Sequence, residues 1–76
     1  MNAVLHETKQ QYLDEYRRIR ARLVEQGSSV ADWCRRNGYD RQLVVPALKG
    51  NSFGRKALEA RAKIIRDALG QKSANG

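Results

Sequence analysis

Apolar residues recur at helical spacing along most of this chain. Tyr12, Tyr16, Ile19 and Leu23 follow one another at intervals of four, three and four, so at about 100° per residue they form one stripe of an α-helix. The stripe predicts a long first helix over 8–26, with Gly27 as its stop. Leu5 would extend the stripe, but 1–7 carries weak start signals and is expected to fray. Between 28 and 50 two shorter patterns meet at Gly38. In the first, Val30, Trp33, Cys34 and Asn37 fall on one side, with Asp32, Arg35 and Arg36 on the other. In the second, Leu43, Val44, Ala47 and Leu48 share a face, opposite Arg41, Gln42, Val45 and Lys49. Leu58, Ala62, Ile65 and Leu69 then define a last helix over 55–70 that is expected to pack through that row. Ala57, Ile64 and Ala68 lie beside the row and widen its apolar face. The polar end, 71–76, is expected to be disordered. No useful alternation of period two occurs, so 1–76 reads as a single all-α domain, a four-helix bundle.

Local signals divide the middle of the chain further. Ser28 or Ser29 can accept the free amides that open the first short helix, and Asp40 can do so for the second. Cys34 puts a small residue where two helices cross, and Gly38, four positions on, suits a left-handed turn. Val44 and Ala47 supply apolar contacts at fixed offsets before Gly50 ends the segment. These are the spacings of a DNA-binding helix-turn-helix over 29–50.

On that reading 41–49 is a recognition helix. Arg41, Gln42 and Val45 are then the candidate base readers, since Arg can take guanine O6 and N7, Gln can take adenine N6 and N7, and Val can meet a thymine methyl. Asp40 is expected to cap rather than read. Ser29, Lys49, Asn51, Ser52, Arg55 and Lys56 are candidate phosphate contacts. Pro46 lacks an amide and presses on the carbonyl of Gln42. A helix starting at Pro46 would be too short to carry Leu43 and Val44 into a core. An intact but bent helix is therefore expected, with the proline ring at the DNA-facing edge.

Charge sharpens this picture. A formal net charge of +7 and a pI near 10.2 favour a polyanionic partner, because each neutralised phosphate releases counterions. The basic run at 17–22 is either a solvated face or a phosphate-contacting flank. No apolar run approaches the roughly 20 residues of a membrane span, and the start of the chain lacks a signal-peptide core. A cytoplasmic protein without a membrane partner is expected. A chain of 76 residues buries only about 60% of its unfolded surface. That thin core, with the wide apolar face of the last helix, points to a homodimer.

Catalytic chemistry finds little support. One cysteine can form neither an internal disulfide nor a cysteine-based zinc site, and Cys34 is expected to be a small buried residue. The lone histidine, His6, is far in sequence from Cys34. Gly50 and Gly54 flank a turn without the strand and lysine of a phosphate-binding loop. No enzyme activity, cofactor, metal or small-molecule substrate is expected. Phe53 is expected to plug the edge of the bundle.

From about 19 to 70 the chain resembles the small helix-turn-helix proteins of Mu-like bacteriophages and prophages, which are similar to Cro and repressor-type domains. The stretch VADWCRRNGYDRQLVVPALKG carries the likeness. Trp33 stands before the small residue of the first motif helix, Tyr39 follows the turn glycine, and Gly50 ends the recognition helix, as in that family. The chain departs from the pattern in its long first helix and in Pro46. The resemblance implies sequence-specific binding of double-stranded DNA by a phage-associated transcriptional regulator. The alternative is a basic helical adaptor for an acidic protein, with the motif as scaffold. Binding of single-stranded RNA would call for an exposed aromatic stacking surface, which the sequence does not supply.

Overall fold

Thr8 starts the first helix with a reciprocal cap. Its side chain accepts from the Gln11 amide at 3.3 Å, while the Gln11 side chain accepts from the Thr8 amide at 3.0 Å. In the computed structural model, which describes residues 5–70, α1 (Lys9–Glu25) runs from this cap to a closing wrap. There the amides of Gly27 and Ser28 return to the carbonyls of Val24 and Leu23 at 2.9 and 2.8 Å. The described residues hold four helices and no strand. Tyr12, Ile19 and Leu23 are buried along α1 and Tyr16 is half-buried.

Two short helices follow. Ser29, rather than Ser28, caps α2 (Val30–Asn37), its hydroxyl oxygen accepting from the Asp32 amide at 3.1 Å. Gly38 ends α2 at φ 75°, a left-handed conformation that costs a side chain of L configuration about 1–2 kcal/mol. The Tyr39 amide then reaches back to the Cys34 carbonyl at 2.9 Å. Asp40 caps α3 (Arg41–Leu48) by accepting from the Gln42 amide at 2.9 Å. This helix begins at Arg41 and continues through Pro46. Gly50 stops it at φ 79°, and a Cβ at Gly50 would stand 2.6 Å from Cδ2 of Tyr12. Position 50 thus needs glycine for its backbone and for the ring packed on it.

α4 (Arg55–Ile65) lies against α3 and ends in a π-helical segment, Arg66–Gly70. Its packing face corrects the expectation from sequence. The buried row is Ala57, Ala60, Arg61, Ile64 and Ala68, whereas Leu58, Ala62, Ile65 and Leu69 are only half-buried. The two rows differ by one position, a rotation of about 100°. The small alanines let the helix backbone approach its neighbours, and the larger side chains close over the rim. Trp33, Val44, Leu48, Ile19, Leu23 and Ile64 fill the centre.

Arg61 is brought inside by a partner. Its guanidinium donates to Glu15 Oε1 at 2.6 Å and lies 5.0 Å from the centroid of the Tyr12 ring. On the other carboxylate oxygen, His6 Nε2 stands at 3.2 Å, and the His6 amide donates to the Tyr12 hydroxyl at 3.1 Å. His6 is therefore seated against α1, although 5–7 is not helical. The tail expected to be disordered, 71–76, lies outside the described residues, as do 1–4. Among the described residues, no helix is long and apolar enough to cross a membrane.

Candidate nucleic-acid interface

Beside its buried row α3 carries a mixed row, in which Val45 still packs against the core. Arg41 and Gln42 are exposed in its first turn, and Val45, Pro46 and Lys49 are half-buried below them. The exposure of the first two follows from the cap: Asp40 starts the helix so that Val44, Ala47 and Leu48 point inward. Tyr16, Arg20 and Val24, one face of α1, stand across from this row and enclose an open groove of about 770 Å³. Ser29 is on the same rim.

No carboxylate lines the groove. Tyr16 is attended by two cations, with the Arg20 guanidinium 5.7 Å and the Lys49 ammonium 5.8 Å from its ring centroid. The phenol ring therefore organises positive charge from both walls. The aliphatic side chains of Val24, Val45 and Pro46 supply the apolar remainder.

The other candidate phosphate contacts form a separate group. Asn51, Arg55 and Lys56 are exposed and Ser52 is half-buried, all beyond the end of α3. The Asn51 side-chain oxygen accepts from the Lys9 ammonium, which ties this connection to the start of α1. Arg55 and Lys56 open α4, where Gly54 offers no side-chain cap. Phe53 places its edge against Tyr12 at 5.9 Å yet remains 51% exposed, so it covers that ring without being enclosed.

The start of α2 already carries an anion. Asp32 accepts from the Ser28 hydroxyl at 2.8 Å and from Arg35 and Arg36 at 3.0 Å each. The Ser28 hydrogen bond, with the two arginines, holds its carboxyl below the ordinary carboxylate range, against a smaller opposing effect of burial. A carboxylate here suits the positive end of the helix dipole.

Tyr16 escaped the sequence reading because it belongs to the apolar stripe, and Arg20 was not singled out within the 17–22 run, read either as a solvated face or as a phosphate-contacting flank. Their signal is the spacing of Tyr16, Arg20 and Val24 at intervals of four, which sets them on one face of α1. Behind the site, Trp33 stacks on Tyr39 with ring centroids 5.6 Å apart and planes within 4°, and donates from its indole to Asp67 at 2.9 Å. Cys34 is buried, and desolvation pushes its thiol up from the usual range. Among the described residues, no group of three or more His, Cys, Asp or Glu is placed to hold a metal ion. Comparison of the chain with protein families, curated proteins and solved structures returned no match.

Proposed function

We propose that this protein is a sequence-specific binder of double-stranded DNA that acts in transcriptional regulation, with α2 and α3 as a helix-turn-helix. The observation that carries the reading is the division of α3 into two faces. Val44, Ala47 and Leu48 hold it in the core while Arg41 and Gln42 stay free at its start. In a major groove those two side chains and Val45 would read base edges, and Lys49, Ser29, Asn51, Ser52, Arg55 and Lys56 would meet phosphates. The excess of basic residues supports a polyanionic partner.

The reading extends to a homodimer on DNA. Half-buried Leu58, Ala62, Ile65 and Leu69 give α4 an apolar row at its rim. A two-fold protein would meet half-sites about 10 bp apart or a multiple of that. The resemblance to small phage and prophage proteins fits a regulator of that kind.

Selection from a random duplex pool, followed by competition at physiological salt, tests the proposal. Preference for the selected duplex over a scrambled one by about 10³ or more is the expected outcome. Equal, weak binding to every polyanion would favour the protein-interaction adaptor. Sedimentation of the complex tests the dimer, and one chain per site without an inverted repeat would remove it.

A further inference from the structure

We propose that the groove between α1 and α3 seats one sugar-phosphate strand of the duplex, with Arg20 and Lys49 gripping phosphate and Tyr16 positioned between them. The inference rests on the duplex-binding reading above and assigns a role to α1 that the recognition-helix pattern does not contain. It is carried by three observations on one surface.

Charge comes first. Arg20, Arg41 and Lys49 line the groove together and no carboxylate joins them. Of the other basic residues on α1 and α2, Arg17 pairs with Asp14, Arg22 with Glu25, and Arg35 and Arg36 share Asp32, while Arg18 has no such partner among the described residues. Among the described residues Arg20, Arg41 and Lys49 take part in no ion pair. Like charges gathered without a counter-charge repel, and a phosphodiester strand relieves that repulsion while releasing its own condensed cations.

Geometry is the second. Arg20 comes from the middle of α1 and Lys49 from the end of α3, yet both stand within 6 Å of the same Tyr16 centroid, at 5.7 and 5.8 Å. The ring holds a cation from each wall over one trough. Continuity is the third observation. Arg41, Gln42 and Val45 line this same groove, so a strand lying in it would present its bases to the side chains proposed to read them. The Val24 side chain, 68% exposed at the rim, and the Pro46 ring offer apolar surface to deoxyribose. A free small anion would use one cation pair. A polymer is what makes use of a track open along its length.

The test measures the salt dependence of binding to the selected duplex. Arg20→Ala is expected to lower the slope of log K against log salt by about 0.9, the value of one phosphate contact, and to weaken selected and scrambled duplexes alike. Val24→Asp, which sets a carboxylate in the trough at an exposed position, is expected to weaken both in the same way. Arg66→Ala, exposed on the π-helical segment outside both the groove and the 17–22 run, serves as control and should bind as the unmodified chain does. Circular dichroism of each variant separates binding loss from unfolding. If the unmodified chain selects its duplex but Arg20→Ala and Val24→Asp leave slope and affinity unchanged, the groove assignment is wrong and the duplex-binding reading stands. A loss of base preference with an unchanged slope overturns it as well, since Arg20 would then be reading bases. Failure of the unmodified chain to bind any duplex, or preference for single-stranded RNA, overturns both.

Discussion

Arg61 on α4 and Glu15 on α1, 46 positions apart in sequence, meet at 2.6 Å inside the core, with the arginine only 1% exposed. Removing one partner leaves a buried charge without its counter-ion, which costs about 3–5 kcal/mol. A domain of this size has a total stability of only about 4–11 kcal/mol. Glu15→Ala should therefore bring the protein close to unfolding in urea at room temperature. The double replacement Glu15→Leu with Arg61→Met should recover most of the loss, because it removes the stranded charge. A Glu15→Ala variant as stable as the parent would mean that the pair does not form in solution.

Gly50→Ala and Gly38→Ala form a matched comparison. Both glycines have φ near +75°, at 79° and 75°, but only Gly50 has the Tyr12 ring where a Cβ would go. Gly38→Ala should cost about 1–2 kcal/mol, the price of the left-handed backbone alone. Gly50→Ala should cost more, with a lower melting temperature than the Gly38 variant. Equal melting temperatures would show that Tyr12 moves aside freely.

Much of the α2–α3 pair was legible because each of its signals is local. Ser29 and Asp40 cap neighbouring amides, and Gly38 and Gly50 end helices a few residues away. Val44, Ala47 and Leu48 are likewise buried on the face that periodicity assigns them, while Leu43, expected on that face, is only half-buried. The Glu15–Arg61 pair was not legible, since a charged residue on an amphipathic helix reads as solvated unless its partner is known. Each in fact sits on a buried row, Glu15 between Tyr12 and Ile19 and Arg61 between Ala57 and Ile64. Opposite charges inside two apolar stripes are the signal that could have joined them. The rotation of α4 was hidden for a related reason: leucine and isoleucine outweigh alanine in any hydrophobicity pattern, although alanine permits closer helix approach. The groove depends on how α1 lies beside α3, a long-range arrangement that spacing within either helix does not contain.

Pro46→Ala restores an amide that can donate to the Gln42 carbonyl. Proline costs about 3 kcal/mol relative to alanine in a helix interior, offset by less than about 1 kcal/mol of unfolded-state entropy. The melting temperature should rise by several degrees. On the proposed DNA-binding reading, affinity for the selected duplex should fall, because the ring lining the groove is lost. A lower melting temperature would indicate that the proline suits a backbone conformation on which the fold depends.

Arg41→Ala and Gln42→Ala should each relax preference at one or two base pairs, with a cost of about 1–3 kcal/mol against the selected site. Lys49→Ala should weaken all duplexes alike and flatten the salt dependence. Quantitative binding to a panel of single-base variants distinguishes the two patterns. Unchanged affinity and preference in Arg41→Ala would move the recognition surface elsewhere.

Asp32 gives the acid limb of stability a defined sign. Its folded carboxyl titrates below the ordinary value of 3.8, held there first by Ser28. The stabilisation is therefore present above that ordinary value and is lost as pH falls through the lower folded value. Asp32→Asn should be less stable than the parent near neutrality, and the urea midpoints of the two should converge at acidic pH. A constant difference across that range would exclude the linkage.

The stacking of Trp33 on Tyr39, together with the indole bond to Asp67, equips the chain with its own optical reporter. The protein has a single tryptophan, so its emission comes from one place, where the turn after Gly38 meets the π-helical segment that follows α4. Loosening of the Arg66–Gly70 segment would free the indole N–H and shift that emission, whereas separation of α2 from α3 would remove the neighbouring phenol ring. Two distinct motions thus converge on one fluorophore, and time-resolved lifetimes could tell them apart without any label being attached.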